Sequence, residues 1–370
     1  MQKCLVTGGA GFIGSHLVEA LLARGDRVSV IDDESTGSID NLAGVIDHPN
    51  LCYTKGTVAD EDLVRRAVAD VDEVYHMAAA VGVQLIAQSP IRTIETNIYT
   101  TELILRQLGE LVDAGRPVKF FLASTSEVYG KNPKSQYAED DDIVLGPTVR
   151  PRWSYGASKA IDEFLALAYW RERGLPVAIA RLFNVVGPRQ TGAYGMVLPR
   201  LIDAALAGGP LVVHDDGQQQ RCFAHVSDVV RMILALVASP SALGQVVNVG
   251  SDKPVSILEL AQRVIAAVEG AGDVGRGAGG GGRGAGRLAA DGTSAPSGNE
   301  AAGDGRRGAG NDSPLQIQFV SYAQAYGDDF EDCRRRVPDL SKVRRLTGLQ
   351  ARYTLDDIIR ELVEWKRCRM

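Results

Sequence analysis

Residues 7–17 read TGGAGFIGSHL, and this glycine-rich stretch follows directly on the apolar run CLV at residues 4–6. Within it, Gly9, Gly11 and Gly14 have the spacing G-x-G-x-x-G. Glycines at these positions permit a tight turn from a strand into a helix, and they let a pyrophosphate approach the first amides of that helix. The stretch therefore predicts a strand–turn–helix unit of a parallel α/β sheet that binds a dinucleotide.

The next strand-like run, VSVIDD at residues 28–33, ends in an acid that supports this interpretation. Asp32 lies eighteen residues after Gly14. A carboxylate at this strand end accepts hydrogen bonds from the adenosine ribose of a dinucleotide, and it disfavours the 2′-phosphate of NADP. We therefore predict that the cofactor is NAD.

Short β-rich runs alternate with helical stretches from residue 1 to about residue 187. This alternation predicts an α/β protein with a Rossmann-type doubly wound parallel sheet. After residue 187 the alternation loosens, which indicates a smaller, interleaved C-terminal substrate lobe. We expect an NAD-binding Rossmann domain over residues 1–187, with 222–251 contributing, and a substrate-binding lobe over 188–221 and 252–370.

Residues 270–312 differ from the rest of the chain, because they are rich in Gly, Ala and Arg and carry almost no large apolar side chains. Such a segment cannot bury enough surface to offset the entropy of ordering, so we expect a disordered surface insert. An RNA-binding arm of the Arg-Gly-Gly type is the alternative. It is disfavoured because the segment has no aromatic residues and the chain is acidic.

The composition of the 370-residue chain is ordinary for a globular protein, with 45% hydrophobic residues. A formal net charge of -6 gives no reason to expect nucleic acid or an anionic membrane as a partner. The five cysteines are scattered and the histidines lack metal-ligand spacing, so we predict a reducing compartment and no metal. Without a signal-peptide pattern or an apolar run of about 18 residues, the protein is expected to be cytoplasmic.

A second motif, SYGASK at residues 154–159, places Tyr155 and Lys159 four positions apart and hence on one face of a helix. A lysine cation beside a phenol lowers the pKa of the phenol, which makes tyrosine a usable general base. The stretch STSEVYG at residues 124–130 ends the preceding strand-like run with three hydroxyl side chains and an acid. Together these stretches predict a reaction centre beside the dinucleotide.

In these motifs the chain resembles the extended short-chain dehydrogenases that act on nucleotide sugars. The segments TGGAGFIG, HMAA, STSEVYG, YGASK, RLFNVVGPR, RCFAHVSD and RRRVPDLSK occur in the order of that family and cover nearly the whole chain apart from the insert. The resemblance implies that NAD stays bound through turnover and takes a hydride from C4 of a UDP-sugar. It also implies that Tyr155 accepts the proton of the 4-hydroxyl while Thr125 hydrogen-bonds that hydroxyl. We expect the protein to be a homodimer.

The resemblance also assigns the other site residues. The catalytic group comprises Thr125, Ser126, Glu127, Tyr155 and Lys159. The cofactor positions are Gly8, Gly11, Phe12, Ile13, Gly14, Asp32, Asp33, Thr36, Gly37, Val58, Met77, Ala78, Ala79, Asn97, Ser124, Tyr155 and Lys159. The substrate positions are Thr125, Ser126, Tyr155, Asn184, Arg189, Val197, Val213, Arg221 and Arg336. Thr57 is a departure, since many relatives carry an aspartate there that binds adenine.

The stretch at 124–130 also bears on which reaction is catalysed. Related 4,6-dehydratases carry an acidic aspartate at the position of Ser126, so dehydration is disfavoured. Glu127 and the segment EDDDIVLGPTVRPRWSYGASK resemble UDP-glucuronate decarboxylases, whereas AAAVGVQLIAQSPIRTIETNI and GPRQTGAYGMVLPR are similar to bacterial 4-epimerases. We predict 4-epimerisation of UDP-glucuronate. The alternatives are decarboxylation to a pentose or 4-keto-pentose and 4-epimerisation of UDP-glucose. A silent NAD-binding regulator is a further alternative, but it would not need the base Tyr155.

Oxidation of UDP-glucuronate at C4 creates a β-keto acid, which loses carbon dioxide when the carboxylate bond lies perpendicular to the carbonyl plane. A 4-epimerase must therefore hold this carboxylate near the plane. Arg189 is the nearest motif arginine and is expected to be the clamp, with a diphosphate or a backbone partner as its alternative. In one branch of glucuronate 4-epimerases an arginine follows the G-P-R motif by two residues, at the position of Thr191 here.

Overall fold

The computed structural model describes residues 1–80, 89–192, 196–273, 315–327 and 331–370. The strands in chain order are β1 (Lys3–Thr7), β2 (Arg27–Asp32), β3 (Leu51–Lys55), β4 (Glu73–His76), β5 (Lys119–Thr125), β6 (Val177–Leu182), β7 (Val185–Val186), β8 (Leu211–His214), β9 (Gln220–Cys222), β10 (Ala224–His225), β11 (Gln245–Val249), β12 (Pro254–Ser256), β13 (Ile317–Val320) and β14 (Arg335–Arg336). The helices are α1 (Phe12–Ala23), α2 (Glu61–Val68), α3 (Pro90–Asp113), α4 (Ser154–Arg173), α5 (Val197–Leu206), α6 (Val226–Ala238), α7 (Ile257–Asp273), α8 (Tyr322–Tyr326), α9 (Ser341–Thr347) and α10 (Leu355–Arg367).

Seven of these strands form one parallel sheet in the order β3-β2-β1-β4-β5-β6-β11. Thr7 of β1 pairs with Ile31 of β2 on one side and with His76 of β4 on the other, so the order reverses between β1 and β4. A ligand crevice opens at the carboxyl ends of the strands at such a switch point. The predicted Rossmann-type doubly wound α/β fold is confirmed.

Helices cover both faces of this sheet, which explains why its inner strands are almost continuously apolar. On one face α1 and α6 pack against the strands through residues such as Leu17 and Val229. On the other face α2, α3 and α4 pack through residues such as Ile104 and Ala166. Full burial of one such large apolar side chain contributes about 1.5–3 kcal/mol. The sheet is therefore a firm platform for the loops at its carboxyl edge.

A smaller lobe is built from α5, α7 and α10, which share an apolar core that includes Leu198, Leu260 and Ile359. Two small sheets, β8–β13 and β12–β9–β14, belong to the same part of the chain. The chain passes back and forth between the two parts. Strand β11 follows β8 and β9 of the smaller lobe in the sequence, but it pairs with β6 at the edge of the large sheet. The interleaved C-terminal lobe expected from the sequence is thus present.

The exact domain boundaries stay a proposal. We assign residues 1–187 and 222–251 to the NAD-binding domain, and residues 188–221 and 252–370 to the substrate-binding lobe. Helix α7 ends at Asp273, beyond residue 270 where we expected the insert to begin. Extending an existing helix by one residue adds a backbone hydrogen bond and fixes the backbone of that residue alone. Helix α7 can therefore continue past its apolar segment. The rest of the predicted insert, up to residue 312, lies outside the described residues.

Candidate active site

A cleft of about 680 Å³ opens at the carboxyl ends of the central strands. Residues of the sheet, of the helix starts and of the smaller lobe all line it. The predicted residues on its walls are Gly8, Gly11, Phe12, Ile13, Gly14, Asp32, Asp33, Thr36, Val58, Met77, Ala78, Ala79, Ser124, Thr125, Ser126, Glu127, Tyr155, Asn184, Val197, Arg221 and Arg336. Five predicted residues are not among the lining residues, namely Gly37, Asn97, Lys159, Arg189 and Val213.

The turn between β1 and α1 has the shape that a dinucleotide phosphate requires. Gly8 has φ +71°, and a Cβ on Gly14 would lie 2.1 Å from the Gly8 carbonyl oxygen. Only glycine fits at either position. Helix α1 begins at Phe12 after an N-cap, Gly11, that has no side-chain cap. Its first backbone N–H groups are therefore available to an anion, and the turn fits a pyrophosphate.

The carboxylate at the end of β2 is buried and oriented by backbone donors. Asp32 Oδ2 accepts a hydrogen bond of 2.8 Å from Ala10 N, and Oδ1 accepts one of 2.8 Å from Glu34 N. Burial raises the pKa of Asp32, and these two hydrogen bonds oppose the rise. A carboxylate offers about four acceptor sites, so further ones remain for ribose hydroxyls. Thr57, where we noted the departure from relatives, lies on the cleft wall.

Three of the predicted cofactor residues support the wall from behind. A Cβ on Gly37 would lie 2.6 Å from the Ala10 carbonyl oxygen, so this glycine permits the loop after β2 to approach the glycine-rich turn. Asn97 Oδ1 accepts a hydrogen bond of 2.8 Å from Ala80 N. Lys159 is buried and donates to Asp162 at 2.7 Å. None of the three lines the cleft itself.

Apart from Lys159, the catalytic residues predicted from STSEVYG and SYGASK meet at one wall of the cleft. Thr125 ends β5, and its hydroxyl accepts a hydrogen bond of 3.2 Å from Glu127 N, which starts a tight turn. The first turn of α4 packs on this turn so closely that a Cβ on Gly156 would lie 2.6 Å from the Glu127 carbonyl oxygen. This contact brings Tyr155 beside Thr125. Glycine at 156 is therefore a requirement of the site.

The Tyr155 phenol lies in a mixed electrostatic environment. Burial raises its pKa above the ordinary value, and the negative charges of Glu127 and Asp162 raise it further. A hydrogen bond with Thr125 and the charge of Arg152 act in the opposite direction. Catalysis by a phenolate therefore requires additional positive charge near the phenol, which the Lys159 ammonium on the same helix and the nicotinamide cation of a bound cofactor would supply.

Glu127 is held by two arginines, one of which we did not predict. Arg152, just before α4, donates both of its terminal nitrogens to the carboxylate, at 3.0 Å for Nη2 to Oε1. Arg336 Nη1 donates to Oε1 at 2.8 Å. Burial alone would raise the pKa of Glu127, but the two guanidinium groups hold it well below the ordinary range. Glu127 is therefore an ionised partner of arginines and not a proton donor.

A second acid–arginine pair lies on the same wall. Asp332 accepts hydrogen bonds of 2.8 Å from Arg221 Nη2 and from the Tyr322 hydroxyl. Burial would raise the pKa of Asp332, but Arg221, Arg336 and Arg152 lower it. We call Glu127, Arg152, Asp332, Arg221 and Arg336 the charged cluster. With three arginines and two carboxylates, it carries a net charge of 3 − 2 = +1.

Two predicted substrate residues are placed elsewhere by the tertiary structure. Arg189 donates to Ser15 Oγ at 3.2 Å and pairs with Glu19, both on α1. Its backbone has φ +70°, which belongs to a turn that directs the side chain towards α1. Val213 is fully buried in the core of the smaller lobe, because alternation along β8 leaves its neighbour His214 at the cleft. Arg189 is thus paired with α1 and does not line the cleft, and its role as a carboxylate clamp stays a prediction.

Several lining residues were missed by sequence reasoning. Tyr322, Tyr326 and His214 form an aromatic group, with ring centroids of His214 and Tyr326 5.1 Å apart. Arg92, Gln190, Thr191 and Arg200 also line the cleft. The only sequence signal for Arg152 was its place immediately before SYGASK, and the segment that carries the tyrosines has no motif.

The residues that the structure describes form neither a metal-binding group nor a membrane-spanning helix. Within them, no three His, Cys, Asp or Glu side chains come together in a way that could hold a metal ion. None of the helices described there is long and apolar enough to cross a bilayer.

Comparison with known proteins agrees with this geometry. Residues 4–250 match the profile of the NAD dependent epimerase/dehydratase family. The chain is 33% identical over 370 residues to the UDP-N-acetyl-alpha-D-glucosaminuronate decarboxylase of Bacillus cytotoxicus, covering 99% of this chain and 98% of that protein. It is 35% identical over 364 residues to UDP-glucuronic acid decarboxylase 1 of Danio rerio, covering 98% of this chain and 72% of that protein.

Solved structures show the same fold. The dTDP-glucose 4,6-dehydratase DesIV of Streptomyces venezuelae, determined with NAD bound, has a TM-score of 0.77 at 27% identity and covers 99% of this chain and 97% of its own. The UDP-glucuronic acid 4-epimerase of Bacillus cereus has a TM-score of 0.77 at 24% identity and full coverage of both chains. The chain belongs to the NAD dependent epimerase/dehydratase family of nucleotide-sugar enzymes, and NAD is its cofactor.

Proposed function

We propose that the protein decarboxylates a UDP-hexuronate to a UDP-pentose through oxidation at C4. The observation that carries this proposal is the pairing of Arg152 and Arg336 with Glu127 beside Tyr155. C6 of the sugar is two bonds from C4, so a C4 hydroxyl at Tyr155 brings the substrate carboxylate close to Glu127. This choice differs from the epimerisation predicted from the sequence, which becomes the second candidate.

The charges around Glu127 support loss of the carboxylate. An epimerase has to retain it, yet Arg189 pairs with Glu19 and position 191 is a threonine. Glu127 together with Arg152 and Arg336 has a net charge of 2 − 1 = +1, which is enough to admit an anion. The ionised Glu127 also repels a neighbouring carboxylate, and this repulsion disappears when the substrate becomes neutral carbon dioxide.

The residues of the chain have separate roles in this reaction. NAD held by the glycine-rich turn and Asp32 would supply the hydride acceptor for oxidation at C4 and, once reduced, the hydride donor for the reverse step. Tyr155 as phenolate accepts the proton of the 4-hydroxyl, and Thr125 donates a hydrogen bond to the same oxygen. The C5–C6 bond then breaks, its electron pair forms an enolate across C5 and C4, and one proton from water is taken up at C5. Tyr155 returns its proton to the oxygen on C4.

Whole-chain similarity to decarboxylases provides independent support, since these relatives are named for reactions on uronic acid derivatives of UDP-sugars.

A specific observation also favours the second candidate, UDP-glucuronate 4-epimerisation. Arg92 and Arg200 line the cleft in addition to the charged cluster, so cations that could retain a carboxylate are present. Both candidates use the same base and the same substrate class.

The deciding experiment measures products. The purified protein, supplied with NAD, is incubated with UDP-glucuronate and separately with its 2-acetamido analogue, and carbon dioxide and nucleotide sugars are quantified. We expect one carbon dioxide per molecule consumed and a UDP-pentose. UDP-galacturonate without carbon dioxide would replace the proposal with epimerisation. Turnover of UDP-glucose alone would overturn both. Tyr155→Phe serves as the control for turnover that does not depend on the site.

We also propose that the protein is a homodimer formed through α3 and α4. These helices pack side by side and expose large apolar residues, of which Ile91 is 72% and Phe164 is 68% exposed. Ile94, Tyr99 and Ile161 are exposed on the same two helices. Such apolar exposure favours association.

Light scattering after gel filtration should give twice the chain mass for the wild type and a smaller mass for Phe164→Glu. A wild-type protein that is monomeric would refute the proposed homodimer.

The location of the protein in the cytoplasm stays a prediction.

A further inference from the structure

Helix α4 carries an acid that the mechanism above does not use. Asp162 is fully buried, and its Oδ2 accepts a hydrogen bond of 2.7 Å from Lys159 Nζ. The two residues are three positions apart, so they form an ion pair along one face of the helix, with side-chain exposures of 0% and 2%. A buried ion pair loses the hydration of both ions and is weak evidence for a stabilising role. Lys159 and Asp162 lie about one and two helical turns after Tyr155, and this position suggests a role in the reaction.

We propose that Asp162 is a positioning residue, which holds the Lys159 ammonium on the helix that also carries Tyr155 and sets the pH at which the Tyr155 phenol becomes a phenolate. The proposal rests on the proposed function in that it takes Tyr155 as the base. The lysine cation favours the phenolate, and the carboxylate of Asp162 offsets part of that effect. The acid therefore keeps the base in its protonated form to a higher pH than lysine alone would.

The surroundings of the ion pair come from three elements. The Asp162 carboxylate faces Lys159 and Glu163 on its own helix and the Thr101 hydroxyl on α3. Burial raises the pKa of Asp162, while Lys159 and Thr101 lower it. His76 at the end of β4 is near the lysine cation, and burial together with that cation lowers the pKa of His76 to about 3. The imidazole is therefore neutral, and Asp162 is the counterion of Lys159.

The Tyr155 side of the pair is also defined. Glu127 from the turn after β5 and Asp162 from α4 are the negative charges that raise the pKa of the phenol, after burial. Arg152, just before α4, and the Thr125 hydroxyl lower it. Among these groups, Asp162 is the one bonded to Lys159. A change at this position therefore alters the Tyr155–Lys159 pair and leaves Glu127 with its two arginines.

Charge counting gives the direction of the effect. With Tyr155 neutral, Lys159 and Asp162 sum to +1 − 1 = 0, and loss of a proton leaves −1. In Asp162→Asn the same states have charges of +1 and 0. Buried sites disfavour net charge, so Tyr155 loses its proton at a lower pH in the variant. The direction follows from the removal of one negative charge in both protonation states of Tyr155.

The test is the pH dependence of turnover by the NAD-loaded protein. In Asp162→Asn the acidic limb of the rate profile should move to lower pH by about one unit. In Asp162→Glu, which keeps the charge, it should stay near the wild-type position. Asp228→Asn is the matched control, because Asp228 is also buried and forms an i,i+3 ion pair, here with the partly exposed Arg231 on α6. It should lower Tm without moving the limb. The proposal is overturned if the acidic limb of the pH–rate profile stays at the wild-type position in Asp162→Asn. It is also overturned if the limb shifts equally in Asp228→Asn.

A second readout needs no UDP-sugar and so separates this proposal from the proposed function. The near-ultraviolet absorbance of phenolate is followed against pH for NAD-loaded protein, and the curve of the matching Tyr155→Phe variant is subtracted. The phenolate of Tyr155 should appear at lower pH in Asp162→Asn than in the wild type. Coincident curves would refute the inference even if UDP-hexuronate turnover is observed. If Asp162→Asn does not fold, Asp162→Leu, which has no polar atom to satisfy, makes the same prediction.

Discussion

Replacing Glu127 by glutamine tests the central electrostatic claim about the cleft. The substitution keeps the size of the side chain and one acceptor oxygen, but it removes the charge that Arg152 and Arg336 share. The net charge of the three groups changes from 2 − 1 = +1 to +2. We expect NADH formation from UDP-hexuronate to continue, because Thr125 and Tyr155 are intact. Release of carbon dioxide should slow, because the substrate carboxylate loses the repulsion from Glu127 and is attracted more strongly by the two arginines.

The magnitude follows from the contacts of Glu127. A charge within about 4–6 Å shifts an ionisation by about 1–3 pK units, and each unit corresponds to about 1.4 kcal/mol, or tenfold in an equilibrium. We therefore expect carbon dioxide release to fall at least about tenfold relative to C4 oxidation. Hydrogen bonds to charged groups contribute about 1.5–3 kcal/mol each, so the variant should also lose a few kcal/mol of stability at neutral pH.

The stability loss has a defined pH dependence. The pKa of Glu127 in the folded protein lies below its ordinary value of 4.5. A carboxylate of this kind contributes stability that is fully present above the unfolded pKa and is lost as the pH falls through the folded pKa. The difference in Tm between wild type and Glu127→Gln should therefore be largest at neutral pH and shrink below about pH 4.5.

The assay is single-turnover mixing of the NAD-loaded enzyme with UDP-glucuronate, with NADH absorbance and released carbon dioxide measured in parallel. Asp332→Asn is the matched control, since it removes the other carboxylate of the charged cluster, which pairs with Arg221. That variant should change KM for the UDP-sugar more than the ratio of carbon dioxide to NADH. The reasoning is refuted if Glu127→Gln lowers Tm as expected but leaves this ratio unchanged.

Three further changes have expected outcomes that follow from the same geometry. Tyr155→Phe should lower turnover by at least about 100-fold, the scale for loss of a positioned general base, while UDP-sugar affinity measured by calorimetry stays within a few fold; near-normal turnover would exclude Tyr155 as the base. Gly14→Ala should abolish NAD retention on purification, because the added Cβ would lie 2.1 Å from the Gly8 carbonyl oxygen, and a variant that co-purifies with NAD would contradict the cradle. Arg189→Ala should lower Tm slightly through the lost contact with Glu19 and leave the product ratio unaltered; a shift towards carbon dioxide would restore Arg189 as the carboxylate clamp.

Local patterns in the chain were sufficient for the fold and the cofactor. The spacing of Gly9, Gly11 and Gly14 has a direct backbone cause, since the turn admits no Cβ at Gly14. The alternation of strands and helices indicates a parallel sheet covered by helices, and the glycine-rich turn followed by Asp32 indicates the doubly wound form of it. The residues that precede and follow these elements, such as Thr125 and Tyr155, then lie at the carboxyl edge of the sheet. Their proximity could therefore be predicted from sequence.

The charges around the substrate were decided by the tertiary structure. Arg152 and Arg336 are 184 positions apart in the chain, and their meeting at Glu127 depends on how β14 of the smaller lobe pairs with β9. Arg189 belongs to a recognisable motif, yet its side chain pairs with Ser15 and Glu19 of α1. Long side chains reach several ångströms in any direction, so their partners follow from packing between distant segments and not from local spacing. The reaction that follows C4 oxidation depends on those partners, and for this reason the sequence predicted the cofactor and the base more firmly than the product.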